Sequence, residues 1–174
     1  MIRLVLGGER SGKSALGLDL LQQGPGPRAM VVTGQALDME FRQRIQAHRL
    51  DRPAEIPVHE VRADLPQRID HLLSSNTAAA LLVDSLDFWL FHCLEHNPEN
   101  LEQHTQSLVD VLSQVGNAHV TLVSCEVGLG PLAADKAARD FVREMGALNQ
   151  MVAAVSQEVL LVVAGQPLQL KAAH

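Results

Sequence analysis

The chain has 174 residues, 47% of them hydrophobic, a net charge of −6, two cysteines, one tryptophan and no tyrosine. That length suits one domain spanning residues 1–174 with a core of Leu, Val and Ala. The acidic balance excludes a surface built for nucleic acid or anionic membrane, so any anion binding must be local.

Residues 2–6 (Ile-Arg-Leu-Val-Leu) predict a first strand. An entry straight into that strand is expected to leave no room for a signal peptide. A glycine-rich segment leads into a helix at 13–23, which Gly24-Pro25-Gly26-Pro27 ends. A strand follows at 29–33. The spacing of Leu37, Phe41, Ile45 and His48 predicts a helix over 37–52, stopped by Pro53. A short exposed strand is expected at 58–61 and an amphipathic helix at 65–74. Residues 79–83 form a fully apolar strand running into Asp84. Helices are expected at 86–94 and 101–115, separated by His96-Asn97-Pro98, then a strand at 119–124 and a long helix at 136–155. The chain closes on a strand at 158–163, a turn at Gly165-Gln166-Pro167 and a short strand at 168–171. Near-continuous Val/Leu runs alternating with helices imply a mostly parallel sheet covered on both faces. The expected fold is a three-layer α/β phosphate-loop NTPase domain.

Cys93 and Cys125 form no CxxC pair, which suits reduced thiols in a cytoplasm better than a disulfide framework or zinc site. The longest apolar runs, 78–83 and 159–164, are shorter than the ~18 residues of a membrane span.

The most specific motif is Gly7-Gly8-Glu9-Arg10-Ser11-Gly12-Lys13-Ser14, a G-x-x-x-x-G-K-S between strand and helix. In that context the glycines let successive N–H groups turn toward phosphate oxygens, and the helix N-terminus adds partial positive charge. Lys13 then reaches the β- and γ-phosphates and the Ser14 hydroxyl can ligate Mg²⁺. Asp84 admits two readings, a Mg²⁺-holding carboxylate beside the loop or the N-cap of the next helix. Arg44, His48 and Arg52 recur at i, i+4 and i+8, with Arg49 adjacent. Neighbouring cations favour neutral, nucleophilic imidazole, yet spacing alone does not separate this from a solvated basic helix face with an incidental histidine. Cys125-Glu126-Val127-Gly128-Leu129-Gly130 reads either as a ligand-approaching loop or as a plain strand-to-helix connection.

Taken in order, these stretches resemble the bifunctional adenosylcobinamide kinase / adenosylcobinamide-phosphate guanylyltransferase family of cobalamin biosynthesis. The resemblance runs through the phosphate loop, Thr33-Gly34-Gln35 and Arg44-Ile45-Gln46-Ala47-His48-Arg49-Leu50-Asp51-Arg52-Pro53. It continues through Leu82-Val83-Asp84-Ser85-Leu86 with Trp89-Leu90, then Glu126-Val127-Gly128-Leu129-Gly130. Arg139, Phe141, Gly146, Asn149-Gln150 and Val162-Val163-Ala164-Gly165 complete it. It implies that His48 attacks the α-phosphate of GTP and passes GMP to a corrinoid phosphate that the same protein has made with ATP or GTP. It further implies a nucleotide site of Gly7, Gly8, Glu9, Arg10, Ser11, Gly12, Lys13, Ser14, Thr33, Gly34, Gln35, Arg49, Leu50, Asp51, Arg52, Glu60 and Asp84, with Mg²⁺ at Ser14 and Asp84, and a homotrimer.

The chain departs from the family pattern at Ile56-Pro57-Val58-His59-Glu60, where W-x-T-x-E is usual, and at Glu9, His92 and Cys125. Two alternatives stand beside the bifunctional reading: a single-activity phosphate-loop kinase acting on another small alcohol, and a nucleotide-binding protein without catalysis.

Overall fold

The computed structural model describes residues 1–34, 56–131 and 134–172. The helix predicted over 37–52 lies outside the described residues, and with it Gln35, Arg44, His48, Arg49, Leu50, Asp51 and Arg52. The described elements are β1 (Ile2–Gly7), α1 (Lys13–Gln23), β2 (Arg28–Val32), β3 (Val58–Glu60), α2 (Leu65–Ser74) and β4 (Ala80–Asp84). They continue as α3 (Leu86–His96), a 3₁₀ turn at Pro98–Asn100, α4 (Leu101–Ser113), β5 (His119–Cys125), α5 (Lys136–Val155), β6 (Glu158–Val163) and β7 (Gln166–Lys171).

The strands form one seven-stranded sheet in the order β3-β2-β4-β5-β1-β6-β7. All pairings are parallel except β6 with β7. Alternation along the strands divides the core between the two faces of the sheet. On one face Leu4, Val31, Leu81, Val83 and Leu122 pack with Leu65, Ile69, Leu86, Leu108, Leu148 and Val152 of α2–α5. On the other, Met30, Leu82 and Val123 meet Leu21, while Val5, Leu160 and Val162 meet Leu16 and Leu20, all from α1. The expected three-layer α/β architecture is present. Trp89, fully buried among the α2–α5 residues, satisfies its indole N–H by donating to Ala63 O at 3.3 Å.

Two expectations need correction at the end of the chain. The turn lies at Ala164-Gly165 and not at Gly165-Gln166-Pro167, because Ala164 and Gly165 both take positive φ, 51° and 76°. Two consecutive positive-φ residues make the tight hairpin connection that matches strand twist. β7 therefore begins at Gln166, paired with Val163, and Pro167 sits in an edge strand, where a missing N–H costs no ladder bond. Coverage of both sheet faces also stops short of this edge, since every residue of β7 is exposed.

The approach of α1 to the sheet is set by Gly17. A Cβ there would stand 2.9 Å from Val123 Cγ2 and 3.0 Å from Leu82 Cδ1. Gly17→Leu should therefore lower stability by about 1–3 kcal/mol through overpacking. Gly17→Ala should be closer to neutral, because replacing a helical glycine returns about 1 kcal/mol. Urea denaturation midpoints of the two variants check this.

Candidate functional site

β1 ends at Gly7, whose backbone lies between Cys125 of β5 and Val162 of β6. A Cβ at Gly7 would fall 2.4 Å from Ser11 Oγ and 2.9 Å from Val162 O, so the chain can fold back there only because the side chain is absent. Arg10 (φ 54°) and Gly12 (φ 97°) take left-handed backbone and complete the curl. Gly12 is the N-cap of α1 and offers no capping side chain. The first amide of α1 with a helical acceptor is Leu16 N, bonded to Gly12 O at 3.1 Å. The amides ahead of it have no intrahelical acceptor, the arrangement that suits a bound anion.

Two strands brace this loop from either side. Glu126 N donates to Gly7 O at 3.1 Å, and Gly165 N from the β6–β7 turn donates to Ser11 O at 2.8 Å. Lys13 is 8% exposed, and its Nζ donates to Gly8 O at 3.2 Å across the loop. Ser11 Oγ is buried with no hydrogen-bond partner, a polar atom left over inside the loop. The loop mouth at Gly8 is open, with nothing within 4 Å of its Cβ position.

Ser14 Oγ donates to Asp84 Oδ1 at 3.3 Å, which brings together the two residues predicted as metal ligands. Asp84 closes β4, and the N-cap of α3 is Ser85. The cap reading of Asp84 therefore fails: a residue still paired in the sheet, opposite Val32 and Val123, precedes the cap position. Thr33 fixes this corner. Its Oγ1 donates to Ser85 O at 2.5 Å and accepts from Ser85 N at 3.0 Å. The Thr33 hydroxyl is thus committed to the end of β4.

Asn149 performs the matching task for β5. Its Oδ1 accepts from Ser124 Oγ at 2.6 Å and its Nδ2 donates to Cys125 O at 3.0 Å. Cys125 lies at the same strand edge, beside Lys13 and Asp87. Burial pushes its thiol up to about 11, the Asp87 carboxylate adds to that, and the Lys13 ammonium opposes it. The thiol is consequently neutral near pH 7. Asp87, in the first turn of α3, was not among the predicted site residues, and neither were Asn149 as a clamp or Gly165 as a brace.

Gly8, Glu9 and Arg10 form the exposed arc of the loop, and Gly34 follows Thr33 at the end of β2. Glu60 ends β3, the far edge strand. Four strand spacings of about 4.8 Å put it roughly 19 Å from β1. It therefore belongs to a region other than the phosphate loop. His92 stacks on His96 with ring centroids 4.3 Å apart, and burial, His96 and Arg62 hold its pKa down.

The family model for cobinamide kinase / cobinamide phosphate guanyltransferase matches residues 3–170. The chain belongs to this family. Its relatives include the bifunctional adenosylcobalamin biosynthesis protein CobP of Pseudomonas aeruginosa, 36% identical over 97% of this chain and 96% of the relative. The proteins named CobU from Salmonella typhimurium and Escherichia coli are 33% and 32% identical, each over 98% of this chain and 100% of the relative. This cobinamide kinase / guanyltransferase thus matches nearly the whole length of each of these relatives.

Lys13→Ala should weaken nucleoside triphosphate binding by about 1.5–3 kcal/mol, the value of a charge-assisted contact, while the far-UV circular dichroism stays unchanged. Calorimetric titration with a non-hydrolysable analogue checks it. Asp84→Asn keeps the shape of the strand end and removes the charge. The Mg²⁺ concentration for half-maximal nucleotide binding should rise, with the melting temperature little altered.

Proposed function

We propose that this protein phosphorylates adenosylcobinamide with a nucleoside triphosphate and then transfers GMP from GTP, through His48, to give adenosylcobinamide-GDP. The observation that carries this reading is the braced phosphate loop, with Lys13 across its mouth and Ser14 beside Asp84, in a chain matched to the family over residues 3–170. The substrates follow from the family's description and from relatives named for adenosylcobalamin biosynthesis.

In the kinase step the amides at the start of α1 and the Lys13 ammonium hold the β- and γ-phosphates. Both face oxygens on which charge accumulates as the phosphoryl group departs. The Ser14 hydroxyl and the Asp84 carboxylate are neighbouring hard oxygen donors, a set that fits Mg²⁺. When bound, Mg²⁺ would offset phosphate charge. In the guanylyl step the neutral His48 imidazole forms a P–N bond to the α-phosphorus. The α–β bridging P–O bond breaks, pyrophosphate leaves, and the phosphoramidate passes GMP to the corrinoid phosphate. The role of His48 is carried by the motif Arg44-Ile45-Gln46-Ala47-His48 and its basic neighbours. Among the described residues no helix is long and apolar enough to cross a membrane. We place the reaction in the cytoplasm, among reduced thiols and nucleotides, and the active form as a homotrimer.

A single-activity kinase is the second reading. It is favoured by Cys125, which stands at the strand edge beside Lys13 where the family carries Asn. The two readings part on covalent labelling. With α-labelled GTP the label should remain on denatured protein, acid-labile and base-stable, whereas γ-label should not. His48→Asn should abolish labelling and spare phosphorylation of the corrinoid. Absence of any α-label on the unmodified protein would leave the kinase alone.

A further inference from the structure

We propose that Cys125 is a positioning residue for the kinase step: its thiol, anchored on Asp87, holds the Lys13 ammonium at the mouth of the phosphate loop. This rests on the kinase reading above and gives a role to a residue that the motifs leave without one.

The Lys13 ammonium rides on a flexible four-carbon stem, so the loop needs something that aims it. An ammonium carries three donors and no acceptor. One donor goes to Gly8 O at 3.2 Å, inside the loop itself and at the long end of the usual range. A second partner comes from outside the loop, the side chain of Cys125. The remaining donor can then turn to a phosphate oxygen.

Cys125 is built to aim it. It is the last residue of β5 and pairs with Gly7, where the loop begins. Its backbone is pinned on both sides. The Cys125 carbonyl accepts from Asn149 Nδ2 at 3.0 Å, and the next amide, Glu126 N, donates to Gly7 O at 3.1 Å. A thiol has one weak donor and a weak acceptor, and here both are engaged. The sulfur accepts from the Lys13 ammonium, and the S–H donates to the Asp87 carboxylate. Asp87 stands in the first turn of α3, so the array runs from α3 through the end of β5 to the start of α1.

The thiol matters as an intermediary. The ion pairs among the described residues do not include Lys13 with Asp87. A direct pair would be a charge-assisted contact, and it would compete with the phosphates for the ammonium. A neutral thiol directs the ammonium without that competition, while Asp87 fixes the direction of the thiol. Charge builds during transfer on the oxygens that Lys13 faces, so an error in its position is felt more in the transition state than in the bound ground state.

The test compares unmodified protein with Cys125→Ala, Cys125→Ser and Cys125→Asn, using adenosylcobinamide with ATP or GTP and calorimetric affinity for a non-hydrolysable analogue. Cys125→Ala should lower kcat for corrinoid phosphorylation by about 10–100-fold and change nucleotide affinity by less than about threefold. A hydroxyl and an amide each offer a donor and an acceptor, so Cys125→Ser and Cys125→Asn should recover most of the lost kcat. Should Cys125→Ala melt early, Cys125→Val fills the space without hydrogen bonds and should show the same loss. Because Asp87 reaches Lys13 through the thiol, adding Asp87→Asn to Cys125→Ala should lower kcat by less than about twofold further. Full kcat in Cys125→Ala overturns the assignment and leaves the kinase reading standing. Equal losses in the alanine, serine and asparagine variants overturn it in favour of a packing role. An affinity that falls as far as kcat, or a second large loss on adding Asp87→Asn, also overturns it. If the unmodified protein phosphorylates no corrinoid, the kinase reading fails and this inference fails with it.

Discussion

The site depends on one constraint: between Gly7 and Lys13 the backbone must reverse without a side chain in the way, and the reversal must be held from outside. Gly7 is wedged between Ser11 and Val162 at distances that no Cβ could occupy. Gly12 sits in left-handed backbone, with its Cβ position 3.3 Å from Gly165 Cα. The two bracing bonds, from Glu126 N and Gly165 N, come from segments on opposite sides of β1. Within the loop Ser11 N donates to Gly8 O at 3.3 Å, but amides presented to an anion cannot also stabilise the loop, so much of its bracing comes from its neighbours. This makes the β6–β7 turn part of the scaffold of the phosphate loop, through the bond from Gly165 N to Ser11 O.

The same logic extends across the strand edge. Thr33 ties β2 to Ser85, and Asn149 ties α5 to the last residues of β5. Each clamp is a buried polar side chain whose hydrogen bonds end on backbone or a hydroxyl, and each fixes a strand terminus that carries a functional group. Asp84 and Cys125 are therefore delivered to the loop by packed elements on the α2–α5 face, while Lys13 and Ser14 arrive with α1 from the other. A parallel sheet suits this assembly, because the carboxyl ends of all its strands emerge on one edge.

Much of this was legible in the sequence. The phosphate loop declares itself because few other arrangements need two glycines, a lysine and a serine between a strand and a helix. The bounds of α1, α2, α5 and β6 coincide with the predicted ones, since glycine-proline stops and long apolar periodicity mark their ends. The misses have physical causes. Pro167 reads as a turn residue, but an edge strand tolerates it, and the turn is made by Ala164, whose positive φ no composition rule announces. Asp87 looks like an ordinary first-turn acid, and only its bond from the Cys125 thiol distinguishes it.

The central claim is that nucleotide phosphates are held by the start of α1 within a loop braced by the β6–β7 turn. Amide chemical shifts followed during titration with Mg²⁺ and a non-hydrolysable GTP analogue test it most directly. The account requires the largest changes at Gly8, Gly12, Lys13 and Ser14, with Gly165 responding through its bond to Ser11. Saturable binding that moves amides around β3 and Glu60 while those of the loop and Gly165 stay fixed would contradict it.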